Sequence, residues 1–265
     1  MPDPMAAVTC RVCVGGLREV FQHQVLGKYA AQYFQCDGCG LLQVREPHWL
    51  DEAYSDAIAS ADTGILQRNL YLCKVASTIL WRLFGAEGKF LDAAGGYGIF
   101  TRLMRDVGFD FYWWDPHAEN LLARGFEAAA GDESFAAVTA FEVLEHLLDP
   151  IAFLTGLTQR TGARTFLIST ELFAGEAPAQ DWWYYAFETG QHISFYRRST
   201  LEVIAQRLGL RLYSNRNIHL LTDTPLSVSG FRLMTQPRVS AALAWIPRFR
   251  LHSRVQADHT RLLKS

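Results

Sequence analysis

Residues 89–100 read KFLDAAGGYGIF, and this stretch decides the fold of the 265-residue chain. It places a short apolar strand, an acidic residue, a cluster of glycines and the start of a helix in that order. Glycine has no Cβ atom, so the backbone can approach a ligand closely, and the free amides of the following helix can bind it. The stretch is therefore typical of a site for a nucleotide-like ligand.

Around this loop, short apolar runs alternate with amphipathic segments. We expect strands at 90–91, 111–114, near 126, 137–141 and 165–169, and helices at 100–107, 118–123, 151–158 and 200–208. Two further extended stretches, 211–221 and 226–233, are expected to complete the sheet. Alternation of this kind favours a parallel sheet with helices on both faces, which is a doubly wound α/β fold.

A second carboxylate follows the loop. Asp115 ends the predicted strand 112–115 and lies 23 residues after Asp92. A carboxylate at this position can accept hydrogen bonds from both hydroxyls of a ribose. A dinucleotide site would need a third glycine in the pattern G-x-G-x-x-G, and Thr101 stands there instead. The loop thus departs from the dinucleotide pattern.

The same loop resembles the hhD-x-G-x-G-x-G loop of class I S-adenosylmethionine-dependent methyltransferases, with Ala94 in place of the first glycine. Residues 137–150, AVTAFEVLEHLLDP, resemble the fourth-strand motif of a large bacterial branch of that family. Residues 190–201, GQHISFYRRSTL, are similar to the segment before its last helix. The resemblance implies a Rossmann-like methyltransferase sheet that binds S-adenosylmethionine.

The resemblance also implies which side chains contact the cofactor. Asp132 matches the acidic position that contacts the adenine amino group, and Glu142 would lie near the methionine end. We also expect Tyr54 to fold over the cofactor. The full expected set is Asp92, Ala94, Gly95, Gly96, Gly98, Asp115, Asp132, Glu142 and Tyr54.

Four of the five cysteines form two C-x-x-C pairs near the N-terminus, Cys10 with Cys13 and Cys36 with Cys39. Two residues between thiolates allow a tight turn to aim both sulfurs at one metal, so the pairs predict a structural zinc ion with a closed coordination shell. An apolar and aromatic hairpin, 21–34, would fill the interval. Reduced thiols without a ligand and a redox dithiol are the alternatives.

A four-cysteine zinc module before this kind of domain resembles sugar methyltransferases that act on nucleotide-linked deoxysugars, notably C-methyltransferases. Those enzymes carry a further C-terminal domain, so we expect this chain to hold the front part of their architecture. The expected parts are a zinc-binding domain at 1–48, a helical bridge at 49–86, a class I methyltransferase domain at 87–236 and a basic helical tail at 237–265.

Methyl transfer to a sugar hydroxyl requires alignment of the reacting atoms and a general base. His192 occupies the position of the family's histidine in the strand-to-helix segment and is the expected base. The C-methyltransferases have an acidic residue before that histidine. Here the residue is Gln191, which favours transfer to oxygen. His146, four residues after Glu142, is expected as a second base or an orienting residue, with Glu142 on the same helical face. Glu145 is expected to cap this helix.

The acceptor is expected to contact an aromatic run, Trp182, Trp183, Tyr184 and Tyr185, together with Glu188. Aromatic rings stack on sugars and nucleobases, and tyrosine adds a hydroxyl for polar contact. Plain packing in the core is the alternative.

Composition limits the partners. Lys and Arg number 25 against 27 Asp and Glu, so no global positive field attracts nucleic acid. An RNA methyltransferase and a non-catalytic zinc-stapled scaffold stay open as alternatives. Residues 237–265 carry six basic side chains against one acidic, which suits peripheral contact with a diphosphate, an anionic glycan or a membrane surface. No apolar run approaches about 18 residues, so we expect a cytoplasmic protein.

Overall fold

A computed structural model describes residues 9–54, 62–129 and 134–264. The strands are β1 (Leu17–Val25), β2 (Tyr29–Cys36), β3 (Leu42–Val44), β4 (Lys89–Ala93), β5 (Asp110–Trp114), β6 (Ala137–Phe141), β7 (Thr165–Ser169), β8 (Ser194–Phe195), β9 (Arg211–Asn215) and β10 (Ile218–Thr222). The helices are α1 (Leu50–Ala53), α2 (Ile65–Phe84), α3 (Ile99–Val107), α4 (Pro150–Thr161), α5 (Arg198–Arg207), α6 (Val228–Met234), α7 (Pro237–Leu243), α8 (Trp245–Arg250) and α9 (Val255–Leu262).

The larger sheet has the strand order β5-β4-β6-β7-β10-β9. Strands β5, β4, β6 and β7 are parallel, and β10 runs antiparallel to both of its neighbours. The carboxyl ends of the parallel strands therefore meet at one edge of the sheet. Chain connections diverge between β4 and β6, and ligands of open α/β sheets bind in the crevice at such a point.

Helices cover both faces of this sheet, as the sequence predicts. Successive strand residues point to opposite faces. Phe90 packs in a cluster with residues of α2 and α3, whereas its neighbour Leu91 packs in another with residues of α4 and α5. The α/β doubly wound prediction is confirmed.

Three local predictions were wrong. No helix forms at 118–123, because the Asp115 and Asn120 side chains accept hydrogen bonds from nearby backbone amides and hold turns there. The stretch 226–233 forms helix α6 instead of a strand, since the Ser227 hydroxyl accepts from the Gly230 amide and caps the helix. Near 126, Glu127 makes only a single parallel bridge to Trp113.

The N-terminal cysteine segments belong to a smaller antiparallel sheet, β1-β2-β3-β8. Its β1–β2 hairpin confirms the hairpin predicted across 21–34. Strand β8 comes from a distant part of the chain and pairs Phe195 with Leu42 of β3. The hydroxyls of Ser199 and Thr200, at the start of α5, both donate to the Cys39 carbonyl. The cysteine segments thus pack directly on the larger body.

The last helices pack back onto the larger body. Asp258 of α9 forms ion pairs with Arg102 and with Arg105, which is almost fully buried. None of the helices that the structure describes is long and apolar enough to cross a membrane.

Candidate functional site

The glycine loop between β4 and α3 leaves no room for side chains at two positions. A Cβ atom at Gly95 would lie 2.7 Å from the Trp113 ring, and one at Gly98 would lie 2.7 Å from the Asn120 Oδ1 atom. Gly96 and Gly98 have φ angles of +52° and +82°. Ala94 also has a positive φ, +55°, which costs a residue with a Cβ about 1–2 kcal/mol. The loop keeps its shape despite the alanine.

Asp92 lies beneath this loop and is 3% exposed. Its two carboxylate oxygens accept hydrogen bonds from the hydroxyls of Thr101, at 3.0 Å, and Thr139, at 2.9 Å. Burial raises the pKa of Asp92 to about 7 in spite of these bonds. Thr101 stands where the dinucleotide pattern has its third glycine, and its hydroxyl holds the Asp92 carboxylate in place.

Asp115 fastens the loop to the end of β5. One carboxylate oxygen accepts from the Gly96 amide at 2.9 Å, and the other accepts from the amides of His117 and Ala118. A carboxylate offers about four lone pairs, so one acceptor position on the Gly96-bound oxygen stays available for a ribose hydroxyl. The indole of Trp113 donates to the Gly96 carbonyl at 2.8 Å. Asp132 lies outside the described residues.

Glu142 sits just past the end of β6 with a φ of +54°, a conformation that a non-glycine residue rarely adopts. Its backbone amide donates to the Ser169 hydroxyl, which in turn donates to the Glu142 carboxylate. Burial, followed by the nearby Glu145, raises the pKa of Glu142 to about 7. The expectation that Glu142 and His146 share a helical face was wrong, because only a 3₁₀ turn, Leu144–His146, forms there.

Glu145 was expected to cap a helix and instead lies buried at the centre of the site, with no exposed surface. The Tyr184 hydroxyl donates to one carboxylate oxygen at 2.7 Å. The other oxygen has no partner among the described residues. Burial raises the pKa of Glu145 to about 7. A buried oxygen without a partner is rare in folded proteins and marks a place where a donor can bind.

His146 and His192 stand next to Glu145. Their ring centroids lie 4.9 Å apart, and one ring nitrogen of each, with one Glu145 oxygen, lies within 4.8 Å of the others. The His192 Nδ1 atom contacts the Tyr184 carbonyl at 2.7 Å. A carbonyl only accepts, so this nitrogen carries the proton and Nε2 keeps a lone pair. Burial lowers the pKa of both histidines, which keeps the rings neutral at pH 7.

Tyr54 reaches the same cluster. Its hydroxyl lies 2.9 Å from the His146 Nδ1 atom, and its ring lies 6.4 Å from that of His117, next to the Asp115 turn. Tyr54 thus stands between the glycine-loop side of the site and the histidine side.

The aromatic run divides between two environments. Tyr184 contacts His192, with ring centroids 4.7 Å apart, and Trp183 is 72% exposed. Tyr185 is buried and packs against Tyr33 of the smaller sheet. Trp182 packs on Tyr184 and Tyr185, and Glu188 is exposed.

The four cysteines meet at one point, with one sulfur of each within 4.8 Å of the others. The Cys10–Cys39 and Cys13–Cys36 sulfur distances are 3.5 and 3.3 Å. Backbone amides of Val12 and Cys39 donate to sulfurs within their own turns. A Cβ at Gly15 would come 3.1 Å from the Cys13 sulfur, so a side chain there would push this sulfur by a few tenths of an ångström. The donor set and its amide bonds suit a tetrahedral zinc site.

Sequence reasoning missed several residues of the site. Thr139 lies in the middle of β6, and Ser169 ends the neighbouring parallel strand β7. Their hydroxyls donate to the carboxylates of Asp92 and Glu142 respectively. The pKa of Arg68 on α2 is raised first by its hydrogen bonds to Asp62 and also by the nearby charges of Glu142 and Glu145. The E-x-x-E-H spacing signalled Glu145, but the reading as a helix cap hid its role. Arg68 had no local signal.

A family model described as a methyltransferase domain matches residues 66–215, more than half of the chain. No curated protein matches this chain. Several solved structures are similar to the chain at low identity. The TnmH structure is 19% identical, with 66% of this chain and 60% of that chain covered and a TM-score of 0.47.

CalO1, a methyltransferase in calicheamicin biosynthesis, is 17% identical, with 65% and 60% covered and a TM-score of 0.42. A Burkholderia thailandensis 1,6-didemethyltoxoflavin N1-methyltransferase is also 17% identical, with 76% of this chain and 97% of that chain covered and a TM-score of 0.47. The chain spans 60% of the length of TnmH and of CalO1.

Proposed function

The chain belongs to the methyltransferase-domain family, the class of S-adenosylmethionine-dependent enzyme that its sequence resembles, and from this we propose that it methylates a hydroxyl group of a sugar with His192 as general base. The sugar is either nucleotide-linked or part of a glycan. The proposal rests chiefly on His192, whose Nδ1–H donates to the Tyr184 carbonyl and leaves Nε2 free to accept a proton.

The residues of the glycine loop would hold the cofactor. Gly95 and Gly98 leave no room for a side chain, Gly96 has a positive φ, and no side chain caps the start of α3. Asp115 would accept from the ribose, while Asp132 and Tyr54 are the proposed contacts to the adenine and to the outer side of the cofactor. S-adenosylmethionine supplies an electrophilic methyl group when it is bound.

His192 would take the proton of the acceptor hydroxyl, so that this oxygen can act as the nucleophile toward the electrophilic methyl group. The neutral ring is ready to accept because burial lowers its pKa. The Glu142 charge favours the protonated ring that results. The acceptor would contact Tyr184, Trp182 and Trp183, with Glu188 at the outer rim. The His146 ring would orient His192 and the acceptor hydroxyl.

Transfer to carbon is a second candidate, and Glu145 favours it. Gln191 stands where C-methyltransferases have an acid before the histidine. Its side-chain amide is not an acid and donates to the Ala53 carbonyl. Glu145, whose second oxygen has no partner among the described residues, places a carboxylic acid beside His146 and His192. A carbon acceptor would use this acid with His192 to remove a proton from carbon.

We also propose that Cys10, Cys13, Cys36 and Cys39 bind one structural zinc ion. Four thiolates fill a tetrahedral shell and leave no open position, so the metal would stabilise the fold without entering the reaction. The position of β8 gives the zinc site an indirect role, since this strand follows His192 and pairs with β3.

Two measurements test the proposed function. Calorimetry should show binding of S-adenosylhomocysteine, and absence of binding at millimolar ligand contradicts the enzyme assignment. Radiolabelled methyl transfer to a panel of nucleotide sugars should then give turnover. His192→Ala should lower turnover by about 10²–10⁴-fold, the usual contribution of a general base, without loss of cofactor binding.

His259→Ala is the matched control, because His259 lies exposed on α9. It should leave turnover unchanged. Unchanged turnover in His192→Ala removes His192 from the mechanism. The position of the transferred methyl group, on oxygen or on carbon, separates the two candidates by mass spectrometry of the product.

A further inference from the structure

A cleft of about 440 Å³ opens beside the β9–β10 hairpin, outside the site described above. Its lining residues are Asn215, Arg216, Arg232, Gln236, Pro237 and Arg238. Half of these side chains are arginines, and none is acidic. None of the three arginines forms an ion pair within the described ranges. Three unpaired guanidinium groups around one cleft suit an anion.

The backbone at the hairpin reinforces this interpretation. Arg216 has a φ of +52°, a conformation that favours glycine, and yet a long basic side chain stands there. The Asn215 amide donates to the Arg232 carbonyl and to the Thr235 hydroxyl, which ties the hairpin to the end of α6. The arginines therefore come from two elements that are held against each other.

The cleft lies at the same edge of the sheet as the proposed acceptor site. Strand β10 is antiparallel to β7 and pairs Ile218 with Ser169, so the hairpin adjoins the carboxyl end of β7. The Thr170 amide donates to the Asn217 carbonyl, and the Thr170 hydroxyl bonds to Tyr184. Three strand spacings of about 4.8 Å separate β6 from β9, or roughly 14 Å.

We propose that this cleft binds a phosphate or diphosphate group carried by the acceptor. The inference rests on the proposed function: the sugar would lie at His192, and the phosphates would extend along the sheet edge to Arg216, Arg232 and Arg238. The acceptor is thus a phosphate-linked sugar, either a soluble diphosphate ester or one carried on a lipid. Positive side chains at a distance from the reacting atoms supply binding energy and select acceptors with an anionic group.

Inorganic pyrophosphate is the first probe, with binding to the full chain measured by calorimetry at low and physiological salt. Arg216→Gly should weaken binding about tenfold, the loss expected for one strong charge-assisted contact. Glycine suits a φ of +52°, so this variant should unfold at no lower temperature than the wild type. Arg232→Ala should weaken binding to a similar degree.

Arg211→Ala is the matched control, since Arg211 is exposed and begins β9 at the opposite edge of the sheet. It should bind pyrophosphate like the wild type. Equal affinity in Arg216→Gly and the wild type, or no binding at about 10 mM probe, overturns the proposal.

A second arm uses vesicles that contain phosphatidylglycerol. Vesicle binding that Arg216→Gly loses assigns the cleft to a lipid-borne phosphate, whereas loss of pyrophosphate binding alone assigns it to a soluble one. Affinity for S-adenosylhomocysteine is measured on the same samples and should not change in any variant. Failure of that ligand to bind contradicts the proposed function, while the pyrophosphate result still decides whether the cleft binds anions.

Discussion

At the scale of single residues, Ala94 shows how a loop tolerates an unfavourable side chain. Its φ of +55° suits glycine, the residue that the family pattern has at this position. We expect Ala94→Gly to raise the free energy of unfolding by about 0.5–1 kcal/mol, the relief of strain less the entropy of glycine. Urea denaturation measures this change, and the affinity for S-adenosylhomocysteine should not fall.

Ala93→Gly is the control for this prediction. Ala93 is fully buried at the end of β4 and has no positive φ, so glycine should destabilise the protein there. A loss of stability in both variants would show that the Ala94 conformation is not strained.

Glu145 gives a second prediction at this scale, through its titration. Burial raises its pKa to about 7 from an ordinary 4.5, so the folded protein keeps a proton that the unfolded chain releases. The Glu145 contribution to stability therefore falls as pH rises from about 4.5 to 7. Glu145→Gln lacks this proton, and its stability relative to the wild type should increase by about 1–2 kcal/mol between pH 5.5 and 7.5.

Urea unfolding of both proteins at the two pH values gives this difference. The other titrating groups are common to both proteins and largely cancel. Glu87→Gln, at an exposed position, should follow the wild type at both pH values. A difference that stays constant with pH contradicts the raised pKa of Glu145.

At the scale of elements, the two cysteine turns connect the smaller sheet to the strand that follows His192. Cys39 accepts hydrogen bonds from Ser199 and Thr200, and β3 pairs with β8. Loss of the proposed zinc ion should disturb β8 and the His192 ring before it disturbs the glycine loop, which follows β4 of the other sheet.

We expect Cys13→Ser to lose the roughly one equivalent of zinc that the wild type should contain, because the metal needs all four thiolates. Its melting temperature and turnover should fall, while affinity for S-adenosylhomocysteine stays within about threefold, or 0.7 kcal/mol. Elemental analysis and calorimetry measure these quantities. Cys73→Ala, in the buried part of α2, should keep its zinc. Purified wild-type protein without zinc contradicts the metal assignment.

At the scale of the whole molecule, a buried ion pair joins the C-terminal helix α9 to α3. The Arg105 side chain is 2% exposed, and its guanidinium lies 2.7 Å from Asp258 and 2.9 Å from Asp110. Asp258→Ala leaves a buried charge with only part of its compensation, so we expect a loss of about 3 kcal/mol in unfolding free energy.

Chemical denaturation tests this prediction. Glu202→Ala breaks the exposed pair with Arg198 on α5 and should cost less than about 1 kcal/mol. Equal losses in the two variants would mean that α9 docks without help from the Arg105–Asp258 pair.

The local pattern of the chain predicted much of the fold. Strands β6 and β7 lie at the residues expected, since their apolar runs have polar or turn-forming neighbours that mark the ends. Predictions failed where short side-chain bonds to the backbone compete with a helix, as at Asp115 and Asn120, or where a serine cap starts one, as at Ser227. Such competition depends on geometry that spacing alone does not contain.

The sequence by itself determined the strands of the parallel sheet, the glycine loop and the two C-x-x-C pairs, because each depends on residues close together in the chain. Only the tertiary structure decided what surrounds His192. Glu145 and His146 come to that ring from the turn after β6, and Tyr184 comes from a separate segment. Burial raises the pKa of Glu145 and lowers that of His146. The arginine cleft likewise joins a hairpin to α6 and α7. Long-range packing brings such groups together, and no local pattern encodes it.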